Sequence, residues 1–347
     1  MVLVRLEDPM SVVATAPTRI DLAGGTLDIE GLYAFLGGAV TVSIAVELRA
    51  RAFVRRLRPG KVRLVARDLG AEATGRSVGQ MVLPAALAIH GRALSHYGPQ
   101  TGIEVVTEAA APAGGGLGGS SALLMAVSAA LLRLQGRRVI KAPLIETGAR
   151  LEASLLGVPT GKQDYLAAVF GGLAAYHFSY DGWRVERLNV SRSFLESLAG
   201  RLVLAFTGAS RLSGVTNWEK FKAYVENVGP TRRRFARLKA IAEEMREAIL
   251  DEDVEAVGKL LVKEWAERRR LAPGVSAPSV EAALGGARRV GALGGKLCGA
   301  GGGGCLAVLA ADGRREAVER VLEKAGFRLL PFQVARRGLI VREGVRG

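Results

Sequence analysis

Two glycine clusters constrain this chain more than any other feature. Five of the six residues at 114–119 are glycine, and so are five of the six at 299–304. Glycine loses more conformational freedom on folding than any other residue, so runs this dense mark backbone that must approach something closely. The run IEVVT at 103–107 is rich in β-branched residues and reads as a strand, and Pro112 and the first cluster follow it. The stretch 120–134, SSALLMAVSAALLRL, is dominated by Ala and Leu, starts with serine and stops at Gly136, which predicts a helix. A glycine loop opening a helix aims several amides, and the partial positive charge of the helix start, at one spot that suits a polyphosphate.

The remaining elements read as mixed α+β. Strands are expected at 38–56, 62–67, 202–207, 305–310 and 337–342, with a hairpin over 172–180 and 183–188 turning at Asp181-Gly182. Helices are expected at 143–156, over most of 231–271, at 278–290 and at 314–325. A chain of 347 residues suggests two domains, and a division near 195–200 with no long linker implies that they share an interface. Aromatic residues make up only 5% of the chain, so the core must rest on Leu, Val, Ile and Ala.

The formal charge of +15 is compatible with a solvated Arg-rich surface, with attraction of nucleotides or sugar phosphates, or with nucleic-acid binding. No zinc, RNP or helix-turn-helix signature supports specific nucleic-acid recognition. Cys298 and Cys305 flank the second cluster without a CxxC or a nearby His, which argues against a metal site and fits a reducing cytoplasm. The start is charged too early for a signal peptide, and no apolar run approaches the roughly 20 residues that span a bilayer. The expectation is therefore a cytoplasmic protein without a membrane partner.

The first cluster also spells G-x-G-x-x-G at Gly114, Gly116 and Gly119, which keeps an NADP-dependent oxidoreductase open. About 20 residues on, a ribose-binding acid should follow, and Arg137 and Arg138 stand there instead. No Walker A is present: Gly161-Lys162 precedes Gln163, and Gly295-Lys296 precedes Leu297.

Three stretches in order resemble the GHMP kinase superfamily. PAGGGLGGSSA at 112–122 is similar to its signature, with Gly119 where many members carry Ser. APTRIDLAGGTLD at 16–28 resembles its first motif, and GGKLCGAGGGG at 294–304 its third. The resemblance implies a two-domain fold: a ribosomal S5 domain 2-like N-terminal domain over 1–197 and a ferredoxin-like C-terminal domain over 198–347. It implies ATP and Mg²⁺ as cofactors, with Pro112, Gly114, Gly115, Gly116, Leu117, Gly118, Gly119, Ser120 and Ser121 holding the nucleotide. Asp164 matches the catalytic aspartate and Arg19 the basic residue paired with it, while Glu152 matches the Mg²⁺ carboxylate that works with Ser121. Asp28 stands where galactokinases keep an aspartate on the sugar hydroxyls, but Gly24-Gly25-Thr26 replaces the Gly-Glu-His before it, which argues against galactose. Gly24, Gly25, Gly301, Gly302 and Arg211 complete the substrate residues, Arg211 as a partner for an anion. GKQD at 161–164, TGASR at 207–211, Glu264-Trp265 and LAPGVS at 271–276 are similar to the heptose 7-phosphate kinase branch. The expected activity is phosphoryl transfer from ATP to a sugar or sugar-phosphate hydroxyl by a monomer or homodimer, with mevalonate-type kinases as the alternative within the superfamily.

Overall fold

The computed structural model describes residues 11–209 and 213–344. In chain order the elements are β1 (Ser11–Ala23), α1 (Leu32–Phe35), β2 (Ala39–Arg56), β3 (Val62–Ala66), β4 (Ala71–Gly75), α2 (Ala88–Tyr97), β5 (Ile103–Ala109), α3 (Gly119–Leu134), α4 (Lys141–Leu156), α5 (Gln163–Phe170), β6 (Leu173–Ser179) and β7 (Gly182–Arg187). There follow α6 (Arg192–Arg201), β8 (Leu202–Phe206), α7 (Ser213–Val225), α8 (Thr231–Leu250), α9 (Val254–Arg268), α10 (Pro278–Arg289), β9 (Ala292–Leu297), β10 (Cys305–Ala310), α11 (Arg315–Lys324), β11 (Arg328–Leu329) and β12 (Ile340–Glu343).

Two sheets organise these elements. The first runs β12-β1-β2-β5-β3-β4, with β6 pairing β2 and β7 pairing β6. It is antiparallel apart from the parallel pair β3–β5. The second runs β11-β8-β10-β9 and is antiparallel throughout. Numbered within its own unit it reads 4-1-3-2 along a βαββαβ chain, the ferredoxin-like arrangement that the resemblance implied.

Three apolar layers hold the sheets and helices together. One joins a face of the first sheet to α2–α5 through Leu64, Val105, Met125, Leu131, Ile145 and Leu166. A second packs Ile20, Val42 and Ile44 of the first sheet against Leu204 and Leu309 of the second, with Ile241, Met245 and Leu261 of α8 and α9. The third covers the other face of the second sheet with α10 and α11. The middle layer belongs to both sheets, so the two units share one continuous core.

A register break in the first sheet decides which way the second half of β1 faces. β1 and β2 slip between Pro17 and Thr18, where Pro17 pairs with Arg49 but Thr18 with Val46. Before the slip, even-numbered Val12, Ala14 and Ala16 face the α2–α5 layer. After it, even-numbered Ile20 and Leu22 face the middle layer. Strand side chains alternate with period 2, so an unbroken β1 would carry odd-numbered Arg19 away from α5. The bulge instead turns Arg19 toward the helical layer, and bulges commonly re-aim a side chain in this way.

Most expected elements lie where the sequence placed them, but 231–271 divides into α8 and α9 at residues 251–253, and β1, α1, β4, α2, α5, α6, α7, β9 and β11 were not foreseen. The last strand crosses from the expected 198–347 unit to the first sheet. β12 leaves the C-terminal half and pairs with β1, matching Val12 to Glu343 and Thr15 to Ile340. Its approach is tight at Gly338, where an added Cβ would stand 2.2 Å from the Val169 carbonyl oxygen at the end of α5. Gly338→Ala is expected to lower stability by about 1–3 kcal/mol through this overpacking. Urea unfolding of the two proteins checks it, and an unchanged midpoint would show that the returning segment can yield.

Candidate active site

A cleft of about 300 Å³ lies between the glycine loop, the β1–α1 connection and the start of α5. Arg19 and Asp164 sit on its floor, and their side chains meet at 2.6 Å between Nη2 and Oδ1. Arg19 also donates from Nη1 to the Gly116 carbonyl at 2.5 Å, and its own amide donates to the Leu117 carbonyl at 3.0 Å. One buried guanidinium thus ties the glycine loop to the carboxylate. Burial alone would make Arg19 easier to deprotonate, but Asp164 and Asp21 outweigh it and raise its pKa. Asp164 occupies the first turn of α5, where the helix start favours an anion.

The loop before α3 is shaped by what stands against it. Gly118 is the N-cap with φ +73°, and an added Cβ would lie 3.0–3.1 Å from the Asp164 carboxylate. Gly116 has φ +70°, and an added Cβ there would lie 2.5 Å from the Cys298 carbonyl oxygen. The first backbone bond into α3 runs from Ala122 to Gly118, which leaves the amides of Gly119, Ser120 and Ser121 as the unpaired helix start. Pro112, Gly114, Gly115, Gly116, Gly118, Gly119, Ser120 and Ser121 all line the cleft. Leu117 is buried beneath it and contributes through its carbonyl.

The second glycine cluster lies against the first, backbone to backbone. The Cys305 amide donates to the Gly115 carbonyl at 2.8 Å, and an added Cβ on Gly304 or Gly299 would run into Gly115 or Gly116 at 2.9–3.0 Å. Gly299 and Ala300 reach the cleft. Gly301 and Gly302, expected as substrate residues, do not line it: an added Cβ on Gly301 would strike Val275, and the Gly302 amide donates to the Val275 carbonyl at 2.7 Å. Gly24 is likewise turned away, 2.3 Å from the Val40 carbonyl at its Cβ position, whereas Gly25 lines the cleft. Arg211 lies outside the described residues.

At the helix start Glu152 accepts hydrogen bonds from Ser120 Oγ at 2.6 Å, from Ser121 Oγ at 3.2 Å and from Tyr165 Oη. Burial, with help from Asp164, raises the Glu152 pKa. No cluster of three metal-ligating side chains exists among the described residues. The Ser121–Glu152 pair fits Mg²⁺ nonetheless: both ligands are hard oxygens, and Mg²⁺ commonly takes one or two protein ligands beside substrate phosphates and water.

Asp28 closes the other end. It is buried, its Oδ2 accepts the Gln163 amide at 2.9 Å, and burial followed by the charge of Asp164 pushes its pKa up to about 6. An added Cβ on Gly161 would stand 2.0 Å from that carboxylate, so the glycine before Lys162 makes room for it. Beneath lies a buried ionic network that sequence reading missed. Lys296 Nζ bridges Asp21 Oδ2 at 2.8 Å and Glu264 Oε1 at 3.0 Å, and Arg268 holds Glu264 at 2.5 Å and the Gly25 carbonyl at 2.8 Å. Burial alone would raise the Asp21 carboxyl, but Lys296, Arg268 and Arg19 pull it down to about 2. Lys220, fully buried and pushed down to about 7, donates to the Ala300 carbonyl at 2.6 Å. Asp21, Glu264 and Lys296 all fall in family-like stretches, but nothing in their spacing showed that they meet.

The cleft lining is acidic. Asp21, Asp28, Asp68, Glu152 and Asp164 contribute to it, and Arg19 is its one basic residue among those described. The chain's +15 charge therefore lies elsewhere. The oxidoreductase reading also fails on topology. The G-x-G-x-x-G lies between β5 and α3, and the next strand, β6, pairs antiparallel with β2 and β7 instead of running parallel beside β5, whereas a dinucleotide fold needs a parallel βαβ unit there. No helix among the described residues is long and apolar enough to cross a membrane.

Comparison with known proteins agrees with this geometry. Residues 80–172 match the GHMP kinases N terminal domain and residues 245–328 the GHMP kinases C terminal domain, together just over half of the chain. The mevalonate kinase of Pyrococcus furiosus is 26% identical over 97% of this chain and 100% of its own length. The D-glycero-alpha-D-manno-heptose 7-phosphate kinase of Campylobacter jejuni is 30% identical over 56% of this chain and 57% of its own. A D-glycero-D-manno-heptose 1-phosphate kinase from Bacteroides thetaiotaomicron shares the fold with a TM-score of 0.77 at 24% identity, covering 95% of this chain and 98% of that one. With both domain matches, the signature loop and the Arg19–Asp164 pair in one cleft, the chain belongs to the GHMP kinases, phosphotransferases that act on a hydroxyl group.

Proposed function

We propose that this kinase uses ATP and Mg²⁺ to phosphorylate a hydroxyl of a sugar or sugar phosphate. The observation that carries the reading is Asp164, held by Arg19 at 2.6 Å, at the junction of the helix-start amides and the Asp28 end of one cleft. Phosphoryl transfer asks a protein mainly for alignment and charge stabilisation. The amides of Gly119–Ser121 would take the phosphate oxygens, and Leu69, Ala85, Ile89 and Leu156 give that side of the cleft an apolar wall suited to a nucleobase. Ser121 and Glu152 would hold Mg²⁺, which neutralises phosphate charge when bound. Asp164 accepts the proton of the attacking hydroxyl, and Arg19, itself anchored on the Gly116 carbonyl, fixes its direction. Asp28, at the far end, accepts hydrogen bonds from further hydroxyls of the acceptor.

Lys162-Gln163-Asp164 and Asp28 favour a polyhydroxylated acceptor, and a coupled ADP-release screen over hexoses, heptoses, their phosphates and mevalonate tests this. Turnover with a sugar or sugar phosphate is expected; turnover with mevalonate alone would replace this reading by the mevalonate one. Asp164→Asn is expected to lower kcat by about 10²–10⁴-fold with KM for ATP nearly unchanged, and wild-type turnover in that variant would remove Asp164 from its role. Glu152→Gln should shift the Mg²⁺ concentration for half-maximal rate upward by about tenfold or more, since one of two protein ligands loses its charge; an unmoved midpoint places the ion elsewhere.

Asp28 generates a pH dependence in two quantities. Its folded pKa of about 6 exceeds the ordinary 3.8, so kcat/KM for the acceptor falls as pH drops through about 6. For stability the sign is opposite. Between about 4 and 6 the folded state binds the extra proton, so this group's contribution to stability declines as pH rises through that window. Asp28→Asn keeps an acceptor for the Gln163 amide and removes the buried charge. It is expected to raise the melting temperature at pH 8 while raising the acceptor KM, and a lowered melting temperature there would contradict the assignment.

A further inference from the structure

Thr26 is a β-branched residue with φ +79°, a conformation that L side chains rarely adopt. Strained residues persist where the surroundings over-determine them, commonly at functional sites. Thr26 lies on the cleft between Gly25 and Asp28, and its hydroxyl has two partners from the C-terminal half. Arg268 Nη1 approaches it at 3.4 Å, and Asn217 Oδ1 lies 3.2 Å away.

These two partners fix every proton in the chain of contacts. A guanidinium only donates, so Thr26 Oγ1 must accept from Arg268. The hydroxyl's single proton is then directed to Asn217. Thr26 Oγ1 donates to Asn217 Oδ1 at 3.2 Å, so the side-chain oxygen of Asn217 faces Thr26 and its Nδ2 amide faces the other way. Asn217 is half-buried, lines the cleft, and its Nδ2 has no hydrogen-bond partner among the described residues. Arg268 itself is anchored on the Gly25 carbonyl and on Glu264, so the relay starts from a fixed point.

We propose that Asn217 is a specificity-determining residue for the acceptor: its Nδ2 amide, oriented through Thr26 by Arg268, donates to an uncharged oxygen of the substrate in the cleft that Asp28 and Asp164 also line. The groups that line this cleft are chemically complementary. Asp28 and Asp164 offer carboxylate oxygens, which take hydroxyl protons; Asn217 offers N–H groups, which take a lone pair. The ligand that satisfies both is a polyol carrying at least one hydroxyl hydrogen toward the aspartates and a second hydroxyl, ring or carbonyl oxygen toward α7. A phosphoryl group at this point would face Asp21 and Asp28 across an acidic lining, so the oxygen that Asn217 reads is a neutral one. Since α7 belongs to the C-terminal half and Asp28 to the N-terminal half, the acceptor is read from both sides of the shared core. This rests on the kinase reading above and deepens it.

The test uses the full-length protein and ADP release with galactose, mannose, fucose, D-glycero-D-manno-heptose 7-phosphate and mevalonate as probes. With whichever probe the wild type turns over, Asn217→Asp and Asn217→Ala are expected to raise the acceptor KM at least tenfold and to leave KM for ATP within twofold. Thr26→Gly removes the hydroxyl and relieves the strained dihedral, so its acceptor KM should rise while its melting temperature holds or increases, a combination that a purely structural Thr26 would not give. An acceptor KM within twofold of wild type in both Asn217 variants, or equal rises in the KM values for acceptor and ATP, would overturn the proposal while leaving the kinase intact. Wild-type silence across all probes would overturn the kinase reading and this one together.

Discussion

A single buried guanidinium sets the geometry of the active site. Arg19 contacts the Gly116 carbonyl, 97 residues away in sequence, and the Asp164 carboxylate on a third element. A cation removed from water is costly unless its donors are used, and removing one partner of such a pair leaves an uncompensated charge. The glycine loop, β1 and α5 are therefore bound to one another through that fork. The loop can pass so close only because Gly116 and Gly118 lack side chains where Cys298 and Asp164 stand. The resulting arrangement brings the helix-start amides and the Asp164 carboxylate to the same cleft with little freedom left, which is what the proposed, alignment-dependent reaction requires.

The cleft exists because the two halves do not pack as independent bodies. Their common apolar layer, with α8 and α9 between the sheets, fixes how the second glycine cluster meets the first. Backbone touches backbone along that seam, with the Cys305 amide on the Gly115 carbonyl. β12 completes the tie by crossing back from the C-terminal half to the edge of β1. Both ends of the catalytic strand are thus held by residues from the far end of the chain.

Electrostatics divide the cleft by function. Its glycine-loop end offers amides and hydroxyls, and its other end offers carboxylates. The acidic groups are held in different ways: Asp21 is compensated by Lys296 and Arg268, whereas burial and a like-charged neighbour leave Asp28 poorly compensated. An uncompensated buried carboxylate costs stability, and it strengthens hydrogen bonds from ligand hydroxyls that replace the missing partners. Stability lost at Asp28 is thus available as affinity for an acceptor.

Much of this was legible in the sequence because it depends on local chemistry. Glycine density located both loops, helix propensity located α3, the first family-like motif placed Arg19 and Asp28, and the wider resemblance placed Glu152 and Asp164; the fold gathers all four into one cleft. Short elements such as α5 and α7 were missed because their residues read as motif or as loop, and Gly301 and Gly302 were assigned to the substrate because spacing cannot tell a glycine that faces a ligand from one that faces Val275. That Asp21, Glu264, Arg268 and Lys296 pair with one another was not legible, since they are separated by up to 275 residues and a charged residue read singly looks like a surface one. The amino-acid order by itself determined which backbone can be left-handed and bare, and which side chains can accept a proton, because those properties belong to single residues. Only the tertiary structure decided which way they face: the slip between Pro17 and Thr18 turns Arg19 onto the helical side, and a strand's period of 2 makes facing a matter of pairing register, which is settled between strands and not within one.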